Sequence, residues 1–301
     1  MARGEPAGPR GRKEGPRARK GGEPVARAAA EPGSANGPFL PLFVSADRPD
    51  LFARACNAGA DAVVIDFEDS VPPESKALVR RIPQSALPAE RPVPIYLRVN
   101  APGTPWYRDD VAFARGAGFE GVVLPKVESV AQLGALREAL GEGQMIIALI
   151  ETMRGLARVE EIACAADRIA FGSLDICEDL GCAHTRMALL PLRSRMVQAA
   201  RLAGRPAPLD GVTVSVVDAA LVSDEAMHAS ELGFGGKCLI HPRQIAPARA
   251  GFRAEQPDLD WARNVIAAEA GELTAADEAE LMHSPVVARA RRLLNRGKAG
   301  L

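Results

Sequence analysis

Residues 62–69 read Ala-Val-Val-Ile-Asp-Phe-Glu-Asp, and the prediction of the fold starts from this stretch. A short apolar run rich in β-branched side chains indicates a β-strand. The acids Asp66, Glu68 and Asp69 come where this strand ends. The pattern of an apolar strand followed by polar residues recurs along the chain, and the recurrence predicts the architecture.

Candidate strands alternate with amphipathic segments that have helical spacing. Alternation of this kind implies a parallel sheet with helical crossovers. About eight such units fit a closed TIM (β/α)₈ barrel better than an open sheet, and no Gly-x-Gly-x-x-Gly follows the first strand, which disfavours a dinucleotide-binding fold. The predicted strands are 40–44, 62–66, 95–99, 121–124, 145–150, 168–171, 211–214 and 236–240, and the predicted helices include 49–58, 129–140, 156–165, 192–202 and 218–232.

Three segments are expected along the chain. Residues 1–37 are rich in Gly, Pro, Arg, Ala and Glu and lack an apolar core of a secretory signal, which predicts a disordered tail. Residues 38–252 are predicted to form the TIM-barrel catalytic domain. Residues 253–301 are predicted to form a C-terminal helical lid and oligomerisation segment.

Composition excludes several function classes. Hydrophobic residues make up 47% and charged residues 25% of the 301, which is typical of a soluble globular protein. The net charge of −1 argues against a nucleic-acid binder, and the chain has no apolar run of the roughly 20 residues that cross a bilayer. The five scattered cysteines predict reduced thiols in a cytoplasmic protein, and a metal role for the nearest pair, Cys177 and Cys182, is disfavoured.

Two acids follow neighbouring strands, Glu151 after the fifth and Asp175 after the sixth. Chemistry in TIM barrels lies at the carboxyl ends of the strands, so these carboxylates are expected to converge. Two carboxylates with open water positions suit Mg²⁺, whereas metals that prefer nitrogen or sulfur need His or Cys. The alternative is that each acid caps the helix that follows it.

Arg98 ends the third strand inside an otherwise apolar run. A buried guanidinium needs a partner, and its bidentate geometry matches a carboxylate substrate. The alternative is a structural ion pair with Asp66 or Glu68. Together with Asp69 these acids are expected either to hold Arg98 and waters near the metal or to transfer protons, and the residues alone do not divide these duties.

Three basic side chains have two interpretations each. His241, which precedes Pro242 after the eighth strand, is either a base or part of a structural turn. Lys76 and Arg80 share a helical face at i, i+4, so they either bind the phosphates of a cofactor or form a solvated face.

Seven stretches carry a resemblance to a known family. They are residues 42–49 (Leu-Phe-Val-Ser-Ala-Asp-Arg-Pro), 60–71 (Ala-Asp-Ala-Val-Val-Ile-Asp-Phe-Glu-Asp-Ser-Val), 97–100 (Leu-Arg-Val-Asn), 124–128 (Leu-Pro-Lys-Val-Glu), 150–152 (Ile-Glu-Thr), 171–175 (Phe-Gly-Ser-Leu-Asp) and 233–242 (Gly-Phe-Gly-Gly-Lys-Cys-Leu-Ile-His-Pro). In order and spacing they resemble the citrate lyase β-subunit and malyl-CoA lyase branch of the HpcH/HpaI aldolase family. The similarity spans residues 39–294.

This resemblance implies a Mg²⁺-dependent carbon–carbon lyase that acts on a 3-hydroxyacyl-CoA thioester. It implies that Glu151 and Asp175 bind Mg²⁺, that Glu151 and Arg98 hold the oxo or hydroxy acid, and that Glu68 and Asp69 support the metal site. It also implies a TIM barrel assembled as a homotrimer or larger homo-oligomer.

The C-terminal segment departs from the pattern of that branch. Thioester-cleaving relatives carry a lid motif Asp-Gly-x-Met-x-Asp-x-Pro whose first Asp handles the acyl-CoA proton. Residues 278–285 here read Glu-Ala-Glu-Leu-Met-His-Ser-Pro. Glu278, or Asp277 in a shifted register, is expected to take the place of that Asp, and His283 replaces the second acid.

Two other functions stay open at this point. The first is a CoA-independent, metal-dependent aldolase of pyruvate, although the histidine base expected early in such a chain is absent before His184. The second is a citrate lyase β-type subunit that is active only in a complex with an acyl-carrier partner, or a protein that senses a metabolite.

Overall fold

A six-stranded parallel sheet forms the centre of the protein, with its strands in chain order. A computed structural model describes residues 1–2, 4, 38–81, 86–88, 90–269 and 284–298. All five pairs of neighbouring strands are parallel, so every crossover leads from one end of the sheet to the other. The strands are β1 (Pro41–Ser45), β2 (Ala62–Asp66), β3 (Ile95–Arg98), β4 (Gly121–Leu124), β5 (Met145–Ile150) and β6 (Arg168–Phe171).

Helices follow the strands and cover one face of the sheet. Helix α4 shows why they form: Ser129 and Gln132 make a capping box, and Leu133, Leu136 and Leu140 are buried on one side. The helices are α1 (Phe52–Cys56), α2 (Lys76–Val79), α3 (Tyr107–Gly116), α4 (Val130–Leu140), α5 (Met153–Ala157), α6 (Val159–Ala165), α7 (Ser173–Leu180), α8 (Arg186–Leu202), α9 (Ala219–Leu232), α10 (Ile245–Gly251), α11 (Gln256–Glu269) and α12 (Ser284–Lys298).

The sheet is buried on both faces, as strand β5 illustrates. Ile146 and Ala148 belong to the large apolar core under the helices, whereas Ile147 and Leu149 belong to a smaller inner cluster. The inner cluster also includes Leu209 from beyond the last strand. A parallel sheet that encloses a second apolar cluster on its inner face is a half-barrel.

Single parallel bridges continue the sheet beyond β6. Leu209 pairs with Ala170 of β6, Asp210 pairs with Lys237, and Leu239 pairs with Leu42 of β1. The strands predicted at 211–214 and 236–240 do not form ladders in the part of the chain that the structure describes. Backbone hydrogen bonds accompany these bridges, such as those from Asp210 N to Gly236 O and from Leu239 N to Pro41 O, both 2.9 Å long.

The last two described helices pack on each other. Helices α11 and α12 enclose a small apolar cluster of their own, which includes Val265 and Leu293. The predicted boundary between residues 252 and 253 stays a prediction, and most of the predicted N-terminal tail lies outside the described residues. No helix in the described part of the chain is long and apolar enough to span a bilayer.

Candidate active site

One lysine gathers three carboxylates at the carboxyl ends of the strands. The Nζ of Lys126 lies 2.7 Å from Glu68 Oε1, 3.6 Å from Asp175 Oδ2 and 4.0 Å from Glu151 Oε1. Glu151 directly follows β5 and Asp175 lies in the first turn of α7, after β6. The predicted convergence of these two acids is therefore present in the structure.

Neither of these acids caps a helix. The residue that caps α5 is Thr152, whose hydroxyl accepts a hydrogen bond from the backbone N–H of Gly155. Helix α7 begins after Gly172, which has no side chain to offer, and Asp175 lies inside its first turn. The helix-capping alternative is therefore wrong for both.

Lys126 has an unusual backbone. With φ at 50°, it is the non-glycine residue with positive φ in the described part of the chain, a conformation that costs on the order of 1–3 kcal/mol for such a residue. In this conformation its N–H donates a hydrogen bond of 2.8 Å to Glu151 Oε1. The backbone N–H and the side-chain ammonium of Lys126 thus both lie next to the carboxylate of Glu151. The sequence pattern predicts no role for Lys126, although its place directly after β4 and Pro125 is a usable signal.

Glu151 is buried, with 2% of its surface exposed. Burial, together with the nearby charges of Glu68 and Asp175, raises the pKa of Glu151 to about 8. The absence of a side chain at Gly172 makes room for it, since a Cβ at that position would overlap the Cβ and carboxylate of Glu151. The carboxylate is therefore held in an environment where its negative charge is poorly compensated.

Glu68 adds to this excess of negative charge. Its Oε2 is buried and has no hydrogen-bond partner among the described residues, although Arg98 Nη1 lies 3.4 Å away. Burial raises the pKa of Glu68 even though Arg98 and Lys126 are close. A buried carboxylate oxygen without a hydrogen bond beside two further acids is an environment that a cation would stabilise.

The donor set fits a hard divalent cation. The atoms that converge are carboxylate oxygens, which Mg²⁺ prefers. No three Asp, Glu, His or Cys side chains form a complete metal-binding group within the described ranges. Water or substrate oxygens would therefore have to fill the remaining positions around an ion held by Glu151 and Asp175, as is usual for Mg²⁺.

Arg98 forms an ion pair with Asp66, which was the structural alternative to a role in substrate binding. Its Nε and Nη2 donate to the two carboxylate oxygens of Asp66 at 2.6 and 2.7 Å, and its Nη1 donates to Asp69 at 3.0 Å. Burial alone would lower the pKa of Arg98, but the nearby acids outweigh it and raise the pKa above the usual value. Three hydrogen bonds use three of the five N–H donors of a guanidinium, so the side chain keeps donors for a substrate.

The three acids after β2 have different environments. Asp66 is buried and also accepts hydrogen bonds from the backbone N–H groups of Glu68 and Ser70. Burial would raise the pKa of Asp66, but Arg98 and these hydrogen bonds hold it below the usual value. Asp69, by contrast, is 53% exposed. Asp66 is thus the structural partner of Arg98, whereas Glu68 and Asp69 face the site.

The name acidic cluster is used below for the five acids and two cations at this end of the sheet. They are Asp66, Glu68, Asp69, Glu151, Asp175, Arg98 and Lys126.

Lys76 and Arg80 make contacts inside the protein. Lys76 is buried, and its ammonium donates to the carbonyl oxygens of Phe67 and Glu68 and to Asn100 Oδ1, at 3.0, 2.8 and 2.6 Å. Arg80 donates to the buried Asp110 at 2.7 Å. The solvated-face interpretation is wrong for Lys76. Its cofactor-binding role is untested, and these contacts, which use all three donors of the ammonium, do not support it.

The histidines have mainly structural contacts. His241 Nδ1 accepts a hydrogen bond of 3.1 Å from the backbone N–H of Arg243 and caps the short 3-10 helix Pro242–Gln244, as the structural-turn interpretation predicts. His184 Nε2 lies 3.0 Å from Ser173 Oγ at the start of α7. Glu278 and the alternative Asp277 lie outside the described residues, as does His283.

Comparison with known proteins agrees with this geometry. The model of the HpcH/HpaI aldolase/citrate lyase family matches residues 40–242. A citrate lyase subunit beta-like protein of Mycobacterium tuberculosis is 36% identical over 266 residues, which are 85% of this chain and 94% of that protein. The citrate lyase subunit beta of Escherichia coli is 32% identical over 281 residues, covering 85% of this chain and 92% of that one.

A solved structure is similar as well. The crystal structure of CitE from Mycobacterium tuberculosis in complex with magnesium, acetoacetate and coenzyme A has a TM-score of 0.76 and 34% identity, and the match covers 88% of this chain and 99% of that one. The fold and the strand-end acids define an α/β protein with a half-barrel of parallel strands. The chain belongs to the HpcH/HpaI aldolase/citrate lyase family, so it is a member of a family of citrate lyase β-subunit-like lyases and the predicted resemblance is confirmed.

Proposed function

We propose that this protein is a Mg²⁺-dependent lyase that cleaves a carbon–carbon bond of a 3-hydroxyacyl-CoA such as citramalyl-CoA, malyl-CoA or citryl-CoA. The products are a 2-oxo acid and an acyl-CoA, and the reverse reaction is a Claisen-type condensation. The observation that carries the proposal is the acidic cluster, in which Glu151 and Asp175 converge next to Arg98. Solved CitE with magnesium and coenzyme A supports it.

Glu151 and Asp175 are the residues that would hold the metal. Bound there, Mg²⁺ supplies a Lewis acid that lowers the pKa of a substrate hydroxyl. Glu151 can bind a metal ion only as a carboxylate. Its raised pKa shows that this negative charge is poorly stabilised without a cation, so a bound Mg²⁺ would stabilise it.

Arg98 orients the acid part of the substrate. Asp66 holds the guanidinium in place through two hydrogen bonds, so little side-chain entropy is lost when a substrate binds. The donors of Arg98 that remain are suited to the carboxylate of a 2-oxo acid and to the negative charge that develops on its oxygen.

Protons are handled by acids of this chain. Glu68 lies at the site, and burial raises its pKa, which makes it a stronger base than an ordinary carboxylate. Asp69 is the exposed acid beside Arg98 and can hold water. Glu278 is proposed to protonate the acyl-CoA carbon, as the lid motif implies.

The wider assignments are also proposals. A closed TIM barrel is supported by the isolated bridges between β6 and β1, which involve Leu209, Asp210, Lys237 and Leu239. The assignment of residues 253–301 as a lid is a separate proposal. We also propose that the protein is a cytoplasmic homotrimer or larger homo-oligomer. Its proposed partners are small molecules and neither nucleic acids nor membranes. Lys76 and Arg80 stay proposed cofactor contacts.

A lyase assay on the purified full chain tests the function. Citramalyl-CoA, malyl-CoA and citryl-CoA are offered separately with Mg²⁺, and release of the 2-oxo acid is followed. Release that EDTA stops, and that Glu151→Gln abolishes, is expected from one thioester. Glu160→Gln is the matched control, because it makes the same chemical change at an exposed ion pair with Arg195.

Two outcomes would overturn the proposal. Release from none of the three thioesters, together with cleavage of a 4-hydroxy-2-oxo acid, would point to the CoA-independent aldolase. Activity that appears only when an acyl-carrier partner is added would point to a subunit of a complex.

A further inference from the structure

Two thiols are in contact at the end of helix α7. The Sγ atoms of Cys177 and Cys182 lie 3.7 Å apart. All five cysteines of the chain are described, and this is the pair whose sulfur atoms meet. The contact is separate from the acidic cluster, although α7 also carries Asp175 in its first turn.

Local backbone geometry creates this contact. Helix α7 ends at Gly181, which has a φ of 71° in the left-handed region, and the N–H of Cys182 then donates to the carbonyl oxygen of Cys177 at 3.0 Å. A helix end of this type brings together the side chains at the two ends of that hydrogen bond. In most proteins these are a pair of apolar side chains; here both are thiols.

The two thiols differ in accessibility. Cys182 is partly exposed, whereas Cys177 is buried. An oxidant in solution therefore reaches Cys182 first. Cys177 is placed directly behind it as the second thiol.

We propose that Cys177 and Cys182 form a reversible disulfide when the protein meets a peroxide. The thiolate of Cys182 attacks one oxygen of hydrogen peroxide, the O–O bond breaks, and the released hydroxide takes up a proton to give water. The sulfur of Cys177 then attacks the sulfenic acid at Cys182, the S–O bond breaks, and a second water leaves. Two thiols and one peroxide thus give one disulfide and two waters.

The required movement is small. The sulfur atoms must approach from 3.7 Å to the bond length of about 2.05 Å. The backbones of the two residues are already joined by a hydrogen bond, and the glycine between them tolerates a change of dihedral angles. A disulfide between residues 177 and 182 closes a short loop, so it adds little stability through loop closure and a thiol reductant can reverse it.

Peptide mapping of the full-length protein tests this proposal. After treatment with hydrogen peroxide in slight excess, free thiols are alkylated and the protein is digested with trypsin. Residues 169–186 form one tryptic peptide that contains Cys177 and Cys182 and no other cysteine. We expect this peptide to lose the mass of two hydrogens, to resist alkylation, and to return to its original mass after dithiothreitol.

Three variants serve as controls. In Cys177→Ser the disulfide mass is expected to be absent and dimedone is expected to trap the sulfenic acid at Cys182. In Cys182→Ser, Cys177 is expected to stay alkylatable. Cys164→Ser removes the exposed single thiol and is expected to leave the disulfide unchanged.

Peptide mapping of the wild-type protein alone can also contradict the proposal. If Cys164 is oxidised while the 169–186 peptide remains fully alkylatable, the pair is not a peroxide-sensitive dithiol. The same conclusion follows if Cys182 passes to the sulfinic acid while Cys177 remains free.

Discussion

Two groups of buried charges lie in this fold, and they differ in balance. The acidic cluster joins five carboxylates to two cations through ion pairs of up to 4.0 Å. The second group, which we call the balanced cluster, has two carboxylates and two cations. Its members are Arg193, Asp210, Glu225 and Lys237.

Every charge of the balanced cluster has a partner. Asp210 accepts from Arg193 Nε at 2.9 Å and from Lys237 Nζ at 3.0 Å, and Lys237 also donates to the carbonyl oxygen of Gly211 at 2.6 Å. Burial would raise the pKa of Asp210, but Lys237 and Arg193 outweigh it and lower the pKa. The acidic cluster shows the opposite: a carboxylate with a raised pKa, an oxygen without a hydrogen bond, and a lysine with positive φ.

The two clusters distinguish buried charges that stabilise the fold from buried charges that a ligand would complete. A buried ion pair that is complete holds segments together, and here the balanced cluster joins the bridged segments around Asp210 and Lys237. A buried group with uncompensated charge costs stability and is retained where a ligand completes it. Changes in the acidic cluster should therefore affect activity, and changes in the balanced cluster should affect stability.

The largest effect is expected at the proposed metal ligands. Glu151→Gln or Asp175→Asn should lower Mg²⁺-dependent turnover at least about a thousandfold, which is about 4 kcal/mol, because each removes a ligand charge. The melting temperature should not fall for Glu151→Gln, since the amide resembles the protonated carboxyl that the raised pKa favours. Turnover within tenfold of wild type in either variant would contradict the ligand assignment.

The balanced cluster should respond in the opposite way. Asp210→Asn leaves the buried Arg193 without its anion and Lys237 with only Glu225 at 3.6 Å, so the free energy of unfolding should fall by about 3 kcal/mol. Urea unfolding measures this, with Glu160→Gln at an exposed ion pair as the control that should change it by less than about 1 kcal/mol. Turnover of the folded variant should stay within a few-fold of wild type, and a large loss of turnover with unchanged stability would break the comparison.

Gly172 links packing to the acidic cluster. In Gly172→Ala the new Cβ overlaps Glu151, so we expect a cost of about 2 kcal/mol and a turnover that falls about thirtyfold as Glu151 shifts. Gly134→Ala is the matched control, because a Cβ there has no heavy atom within 4 Å and lies in helix α4. That control should stabilise the protein by up to about 1 kcal/mol. Equal effects of the two substitutions would argue against a special role of Gly172.

Much of the parallel sheet could be predicted from local pattern alone. The bounds of β2, β4, β5 and β6 are as predicted, because each is a mainly apolar run that directly follows a polar residue. The predicted helix at 49–58 begins as the 3-10 helix Pro49–Leu51 before α1, and the one at 156–165 is split between α5 and α6 at Arg158. The convergence of Glu151 and Asp175 followed from strand order, since neighbouring parallel strands end at the same edge.

Features that depend on distant contacts could not be predicted. Lys76 was expected at the surface or on a phosphate, yet its partner Asn100 lies 24 residues away and buries it. The role of Lys126 could not be predicted, because it depends on a backbone dihedral angle and on acids from three other segments. The pairing at Leu209 and Asp210, rather than at 211–214, depends on bridges to Ala170 and Lys237, which lie far away in the sequence.

Lys126 offers a smaller and more specific test of the comparison. Its ammonium lies against the carboxylates that would hold Mg²⁺, so Lys126→Met should remove repulsion between two cations and tighten Mg²⁺ binding about tenfold, or about 1.4 kcal/mol. Lys126→Arg keeps the charge and should change the affinity less. Titration calorimetry of the protein without substrate measures both variants. Weaker binding in Lys126→Met would mean that Lys126 arranges the ligands rather than competing with the ion.

A further test is the pH dependence of the free energy of unfolding without metal. The pKa of Glu151 rises on folding from about 4.5 to about 8, so the native state binds a proton that the unfolded chain has lost in this range. The free energy of unfolding should therefore fall as the pH rises from about 5 to about 8, and wild type should lose at least about 1 kcal/mol relative to Glu151→Gln over that interval. Glu68, whose pKa is also raised, is present in both proteins, and its own contribution differs between them only through its coupling to Glu151. Saturating Mg²⁺ should remove the difference in slope, because an ion that binds the carboxylate stabilises its charged form. A slope that is the same in both proteins would show that the negative charge of Glu151 is already compensated without a metal, and the acidic cluster would then be as balanced as the one around Asp210.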